Sequence, residues 1–375
     1  MNINRTIASK IEEYFFKGKA IIIYGARQVG KTTLVKALSE SYPDCIYLNC
    51  DEPDVAESLS KKTSTELKYM LNNTGLLIID EAQRVKDIGI TLKLMVDNFA
   101  GLQIVATGSS SFELSNSIME PLTGRKYEFH LFGFSIAEIR QIYSDLEINR
   151  LIEQFVIYGM YPEIITKPKD REINLKSLAD SYLFKDILVY ERIRNHDVLR
   201  RLLQALALQI GSEVSYAELA GLLGIDKKTV ESYIEILEKA FIIFRLYPYS
   251  ANVRNELKKK RKVFFYDTGI RNAIINNFNP SHLRNDWGGL WENFIIAERL
   301  KYLKNNFINC NTYFWRNSYK QEVDLIELMA EDMRAFEIKW KAPDARIPRS
   351  FMQNHKNAQV SVINSTNFLR FLSEK

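Results

Sequence analysis

Residues 25–32 read Gly25-Ala26-Arg27-Gln28-Val29-Gly30-Lys31-Thr32, preceded by the apolar run Ala20-Ile21-Ile22-Ile23-Tyr24 and followed by Thr33-Leu34-Val35-Lys36-Ala37-Leu38. Few folds accommodate a buried strand, a glycine loop and a helix in that order; the succession predicts a phosphate-binding P-loop. The glycines let the backbone curl so that consecutive N–H groups point inward, and the helix N-terminus adds partial positive charge. A nucleoside triphosphate, taken as ATP, is expected on Gly25, Ala26, Arg27, Gln28, Val29, Gly30, Lys31, Thr32 and Thr33. Lys31 is expected to reach the β/γ-phosphates and Thr32 to ligate Mg²⁺. Arg27 is expected on phosphate or on a neighbouring acidic side chain.

Strand-like runs recur at Cys45–Asn49, Leu76–Glu81, Leu102–Gly108 and Lys126–Leu131, with helical patterns such as Thr91–Phe99 between them. Strands alternating with helices predict a parallel sheet covered on both faces. Asp80 and Glu81 close an apolar strand, where ligands of parallel sheets bind. Asp80 is expected to hold Mg²⁺ through water, and Glu81 to orient and deprotonate the attacking water. Thr107 and Ser109 offer hydroxyls that are expected to sense a γ-phosphate. Arg125 is expected as an arginine finger, acting in its own chain or from a neighbouring subunit, with a surface arginine as the competing reading. An extra strand between the P-loop strand and the acidic strand is expected, which disfavours simple nucleotide kinases.

The length of 375 residues predicts several domains. With 46% hydrophobic and 26% charged residues, the composition is that of a soluble globular protein. No apolar run reaches the roughly 18–20 residues of a membrane span. Cys45, Cys50 and Cys310 form no disulfide framework, which points to a reducing cytoplasm. A net charge of +5 permits a nucleic-acid partner without demanding one.

Residues 137–208 read as almost wholly helical. Tyr216–Phe241 reads as helix–turn–helix, with Asp226 as N-cap of the second helix, and Phe244–Tyr266 as a strand–loop–strand wing. In a winged helix-turn-helix, Lys227 and Lys228 would meet phosphates, joined by Thr229 and Ser232. Lys258, Lys259, Lys260, Arg261 and Lys262 would straddle a DNA backbone from the wing. Glu231, Glu235 and Glu238 argue against that groove, and a protein-binding winged helix with a solvated hairpin tip stays open beside it.

Farther on, Glu292 lies on a pattern read as an amphipathic helix through Ile296, Leu300 and Leu303. Period-two alternation over Ala335–Trp340 sets Glu337 and Lys339 on one face and Phe336, Ile338 and Trp340 on the other. With Asp324 from a preceding strand, these residues match the D…ExK core of PD-(D/E)xK nucleases, with Glu292 as the helix carboxylate. Such a set can hold divalent metal and position water beside phosphate. A retained nuclease-like fold that does not cut is the alternative.

Tyr24–Thr33, Asp80-Glu81-Ala82-Gln83, Thr107-Gly108-Ser109-Ser110 and Leu122-Thr123-Gly124-Arg125 together resemble the AAA+-type ATPases of bacteria and archaea. In particular the chain resembles those fused to a C-terminal domain of unknown function related to PD-(D/E)xK nucleases. Tyr158-Gly159-Met160-Tyr161-Pro162-Glu163 and Tyr182-Leu183-Phe184-Lys185-Asp186-Ile187 resemble the linker motifs of that family, with Gly159-Met160 where Gly-Gly is common. The resemblance spans essentially the whole chain and implies an ATPase core without a biological role. The expected organisation is an α/β chain: a P-loop core (1–136), a helical lid or linker (137–208), a winged helix-turn-helix (209–280) and a nuclease-like α/β domain (281–375). Expected activities are Mg²⁺-dependent ATP hydrolysis with DNA as partner, an ATP-dependent signalling or assembly switch binding proteins, or an ATP-gated nuclease. A homo-oligomer is compatible with each, and no membrane partner is expected.

Overall fold

The computed structural model describes residues 3–72, 74–108, 118, 120–181, 195–250, 260–330, 332–341 and 346–373. Ser109, Lys258, Lys259 and the 182–187 motif lie outside the described residues. The chain divides into two compact units, one of Asn2–Gly133 with Lys239–Phe241, the other of Phe134–Glu238 with Ile242–Lys375. No helix among the described residues is long and apolar enough to cross a membrane.

The first unit carries strands β1 (Ala20–Gly25), β2 (Cys45–Asn49), β3 (Leu76–Asp80), β4 (Gln103–Gly108) and β5 (Lys126–Leu131). Its helices are α1 (Thr6–Glu12), α2 (Lys31–Ser39), α3 (Pro53–Leu59), α4 (Ser64–Leu71) and α5 (Ile88–Asn98). All five strands are parallel, in the order β2-β3-β4-β1-β5, so β4 separates the P-loop strand from the acidic strand as expected. Every residue of β1, β3 and β4 is buried, which explains their largely apolar runs: helices cover both faces. Burial of each isoleucine in β1 contributes about 2–3 kcal/mol. Gly25 is required where β1 ends, because a Cβ there would stand 2.2 Å from the Leu131 carbonyl oxygen.

The second unit carries helices α6 (Ile136–Ile139), α7 (Asp145–Tyr158), α8 (Pro162–Thr166), α9 (Arg171–Ser181), α10 (His196–Leu208), α11 (Tyr216–Leu223) and α12 (Lys227–Lys239). They are followed by α13 (Thr268–Ile274), α14 (Trp287–Asn305), α15 (Arg349–Asn354) and α16 (Phe368–Phe371). Its strands are β6 (Glu213–Val214), β7 (Ile243–Pro248), β8 (Arg261–Phe265), β9 (Asn311–Arg316), β10 (Glu322–Met329), β11 (Asp332–Ile338) and β12 (Gln359–Ile363). They form one sheet in the order β12-β11-β10-β9-β7-β8-β6. Its middle joint is the parallel pair β7–β9, with Tyr247 opposite Tyr313 and Pro248 opposite Phe314. The strands expected as a wing and those expected as a nuclease-like domain therefore share hydrogen bonds across the 280/281 boundary drawn from the sequence.

The Tyr158-Gly159 motif packs on the start of α13. Asp267 caps α13 through the Ile270 N–H at 3.1 Å and accepts the Met160 N–H at 2.7 Å. Gly159 has φ +73°, and a Cβ there would lie 1.9 Å from Asp267 Oδ1, so the glycine meets both a conformational and a steric demand.

Helix α14 is buried on nearly all sides, which corrects the amphipathic reading. Its buried charges are neutralised: Arg299 makes a two-pronged pair with Glu327 at 2.6 and 2.9 Å, and Lys301 pairs with Glu298 at 2.5 Å. A 3.6-residue pattern counts charges as solvent-facing, whereas here they close on partners inside the fold.

Candidate active site and carboxylate cluster

The loop after β1 turns into α2 through Gly30, whose φ of +96° is a left-handed conformation natural to glycine. Lys31 is buried, and its Nζ donates to the carbonyls of Gly25 at 3.0 Å and Ala26 at 2.9 Å. The ammonium group is thus held against the start of the loop between β1 and α2. Thr32 Oγ1 donates to Asp80 Oδ2 at 2.6 Å, which joins the start of α2 to the end of β3. A hydroxyl and a carboxylate side by side are hard oxygen donors of the kind Mg²⁺ selects, so these two residues fit the ion.

Asp80 is gripped further by Tyr47 and Thr107. The Tyr47 hydroxyl donates to Oδ2 at 2.7 Å, and the Thr107 hydroxyl donates to Oδ1. Burial, followed by the hydrogen bond to Asp80, pushes the Tyr47 phenol well above its ordinary range. Burial also pushes the Cys50 thiol up to about 12, with Asp80 adding to it. Glu81 takes φ 54°, ψ 42°, a left-handed conformation uncommon for a residue with a side chain. Its N–H donates to Thr107 Oγ1 at 3.1 Å, and its carboxylate accepts from Gln83 Nε2 at 2.5 Å. Strain of this kind gathers at functional sites, at roughly 1–3 kcal/mol each.

Sequence reasoning missed two contributors. Arg5 donates from Nη1 to the Val29 carbonyl at 2.7 Å and from Nη2 to the Phe132 carbonyl at 2.5 Å. Nothing in the local sequence marks it. Tyr47 had a weak signal, a hydroxyl-bearing side chain in the middle of the strand beside β3.

Arg125 is placed differently from the expectation of a finger in its own chain. Its carbonyl accepts the Ala20 N–H at 2.9 Å, at the start of β1, whereas the P-loop leaves the far end. Five strand steps separate the two ends by about 16 Å, beyond the reach of an arginine side chain. Its Nε instead donates to Asp97 at 2.6 Å on an exposed surface.

In the second unit, Glu292 from α14, Asp324 from β10 and Glu337 from β11 do come together with Lys339. Lys339 Nζ lies 2.9 Å from Asp324 Oδ2 and 2.7 Å from Glu337 Oε1. The Ile338 N–H donates to Asp324 Oδ2 at 2.8 Å. Two further residues join the cluster. Glu322 is one, and the alternation Glu322-Val323-Asp324 could have revealed it. Lys262 is the other: its Nζ lies 2.8 Å from Glu292 Oε1 and also pairs with Glu322. Burial pushes the Glu292 carboxyl up to about 8 despite the lysine beside it, and pushes Glu337 upward too. One Glu337 oxygen is buried without a hydrogen-bond partner.

The cations expected on DNA separate into groups. Lys227 and Lys228 are exposed at the start of α12, and Lys260 is exposed just ahead of β8. Arg261 lies over the rings of Tyr216 and Tyr247, at 5.1 and 5.5 Å. Lys262 is buried inside the carboxylate cluster, which corrects its placement on a DNA-facing wing. Strand alternation explains the split: within β8 successive side chains take opposite faces, so a run of cations cannot stay on one surface.

With this geometry in hand, the relatives are informative. Residues 17–140 match the family described as AAA domain, and residues 149–281 and 287–373 match two domains of unknown function, DUF8612 and DUF4143. An uncharacterized protein of Mycobacterium tuberculosis is 25% identical over 339 residues, covering 89% of this chain and 73% of the relative. One from Methanocaldococcus jannaschii is 26% identical over 347 residues, covering 86% of this chain and 74% of its own. Among solved structures, a Walker-type ATPase of Pyrococcus abyssi aligns with a TM-score of 0.52 at 18% identity, covering 73% of this chain and 96% of that one. The AAA-domain match and the shared fold support a P-loop ATPase.

Proposed function

We propose that the chain is a Mg²⁺-dependent ATP hydrolase that acts on or with DNA. The observation that carries the hydrolase reading is the 2.6 Å bond between Thr32 and Asp80, with Glu81 next in sequence and held by Gln83. Lys31 would bind the β/γ-phosphates, and Thr32 and Asp80 would hold Mg²⁺, which would neutralise phosphate charge. Glu81 orients and deprotonates the attacking water. Thr107, on both Asp80 and the Glu81 N–H, couples the metal side of the site to the base. Arg125 acts as a finger from a second copy of the chain, consistent with its place at the opposite end of the sheet.

The DNA reading rests on β6, α11, α12, β7 and β8 as a winged helix-turn-helix. Asp226 caps α12 by accepting the Thr229 N–H at 3.0 Å, which leaves Lys227 and Lys228 displayed in its first turn. A second reading, a switch that binds protein partners through the same segment, is favoured by the internal engagement of Arg261 and Lys262.

Steady-state ATP turnover of the full chain, with and without duplex DNA over a salt series, tests the proposal. Turnover lost in Lys31→Ala and reduced at least about 100-fold in Glu81→Gln is expected. Stimulation by DNA that fades steeply with salt is expected for phosphate contacts. Normal turnover in Lys31→Ala rejects the site; turnover indifferent to DNA at low salt leaves the protein-binding switch.

A further inference from the structure

Lys262 belongs to a cationic run that reads as surface, yet 1% of its side chain is exposed. Its Nζ is 2.8 Å from Glu292 Oε1, paired with Glu322, and 4.0 Å from Asp324 Oδ1. These three residues each offer a carboxylate oxygen, all within 4.8 Å of one another. That is the donor set a hard divalent ion selects, with metal–oxygen distances of about 2.0–2.6 Å. The space such an ion needs is where the ammonium sits.

We infer that the Lys262 ammonium takes the place of a divalent cation among Glu292, Glu322 and Asp324, so that this nuclease-like cluster closes on a cation from its own chain and recruits no metal. The rest of the cluster is neutralised in the same manner. Lys339 bridges Asp324 and Glu337 at 2.9 and 2.7 Å, and Arg316 Nε lies 3.6 Å from Glu322 Oε2. The Phe314 ring, 5.7 Å from Nζ, gives the lysine an apolar floor. An ammonium donates hydrogen bonds to carboxylates, but it carries no water to activate. Phosphodiester hydrolysis at such a cluster needs a metal that lowers the pKa of its bound water. The lysine's role is then to fasten β8 to α14 and β10. This inference goes beyond the ATPase reading and does not rest on it.

Mn²⁺ titration of the full-length, nucleotide-free protein by calorimetry tests it. Mn²⁺ uptake by the natural protein should be unaffected by Glu322→Gln. Lys262→Met should gain a site for about one Mn²⁺ per chain, at least about tenfold tighter than any in the natural protein, and Glu322→Gln in that background should abolish it. Circular dichroism identifies whether Lys262→Met is folded. A folded Lys262→Met without added Mn²⁺ uptake overturns the inference. So does Mn²⁺ binding by the natural protein that disappears in Glu322→Gln, a comparison that stands even if Lys262→Met fails to fold.

Discussion

The Arg5 guanidinium donates to the Val29 carbonyl at 2.7 Å, so a residue ahead of the first helix props the phosphate loop from outside it. The second prong, on the Phe132 carbonyl, ties the same guanidinium to the end of β5. Charge-assisted hydrogen bonds of this kind contribute roughly 1.5–3 kcal/mol. Arg5→Ala is expected to weaken ATP binding by about tenfold through a looser loop, with Arg5→Lys restoring part of it. Calorimetric ATP titration checks this, and an unchanged dissociation constant in Arg5→Ala would remove Arg5 from the site.

Arg125 supplied by a neighbouring copy makes a distinct prediction. Arg125→Ala is expected to lose at least about 100-fold in turnover while binding ATP normally. Mixing Arg125→Ala with Glu81→Gln should then recover activity, because a site on the Arg125→Ala chain keeps its own Glu81 and receives Arg125 from the Glu81→Gln chain. Two inactive variants that stay inactive when mixed would contradict a shared site. An arginine that only pairs with Asp97 would change stability by at most about 1 kcal/mol and leave turnover alone.

The fold and the sites were legible in unequal measure. Strands Cys45–Asn49 and Lys126–Leu131 are readable to the residue, since each gathers aromatic and aliphatic side chains into a short run between turn-forming breaks. Glu337 and Lys339 share a face because strand periodicity is local. Arg5 on Val29, Tyr47 on Asp80 and Lys262 on Glu292 were not legible: each contact spans 24 or more positions, and only tertiary packing selects the partner. Lys262 was hidden twice over, since its neighbours made it look like part of a solvated charge run.

Glu292 gives the cluster a pH signature. Its carboxyl is raised by burial to about 8, from an ordinary value of 4.5, with Lys262, Asp324 and Glu322 facing it. Between those values the unfolded chain has released this proton while the folded chain retains it. Stability contributed by Glu292 is therefore present below its unfolded pKa and declines as pH rises toward 8, by at most about 1.4 kcal/mol per unit. Urea unfolding at pH 5 to 8 should show a slope that Glu292→Gln flattens; equal slopes in both proteins would remove Glu292 as its source.

The seven-stranded sheet limits how this protein can be dissected. Cutting between α13 and α14 would look natural from the sequence, yet it would strip β9 of its partner Tyr247-Pro248 and expose an unpaired strand edge on each fragment. The same cut would separate Lys262 from its carboxylates and leave the charges on both sides without their partners. Fragments made there should aggregate, and an insertion or fusion belongs at a terminus.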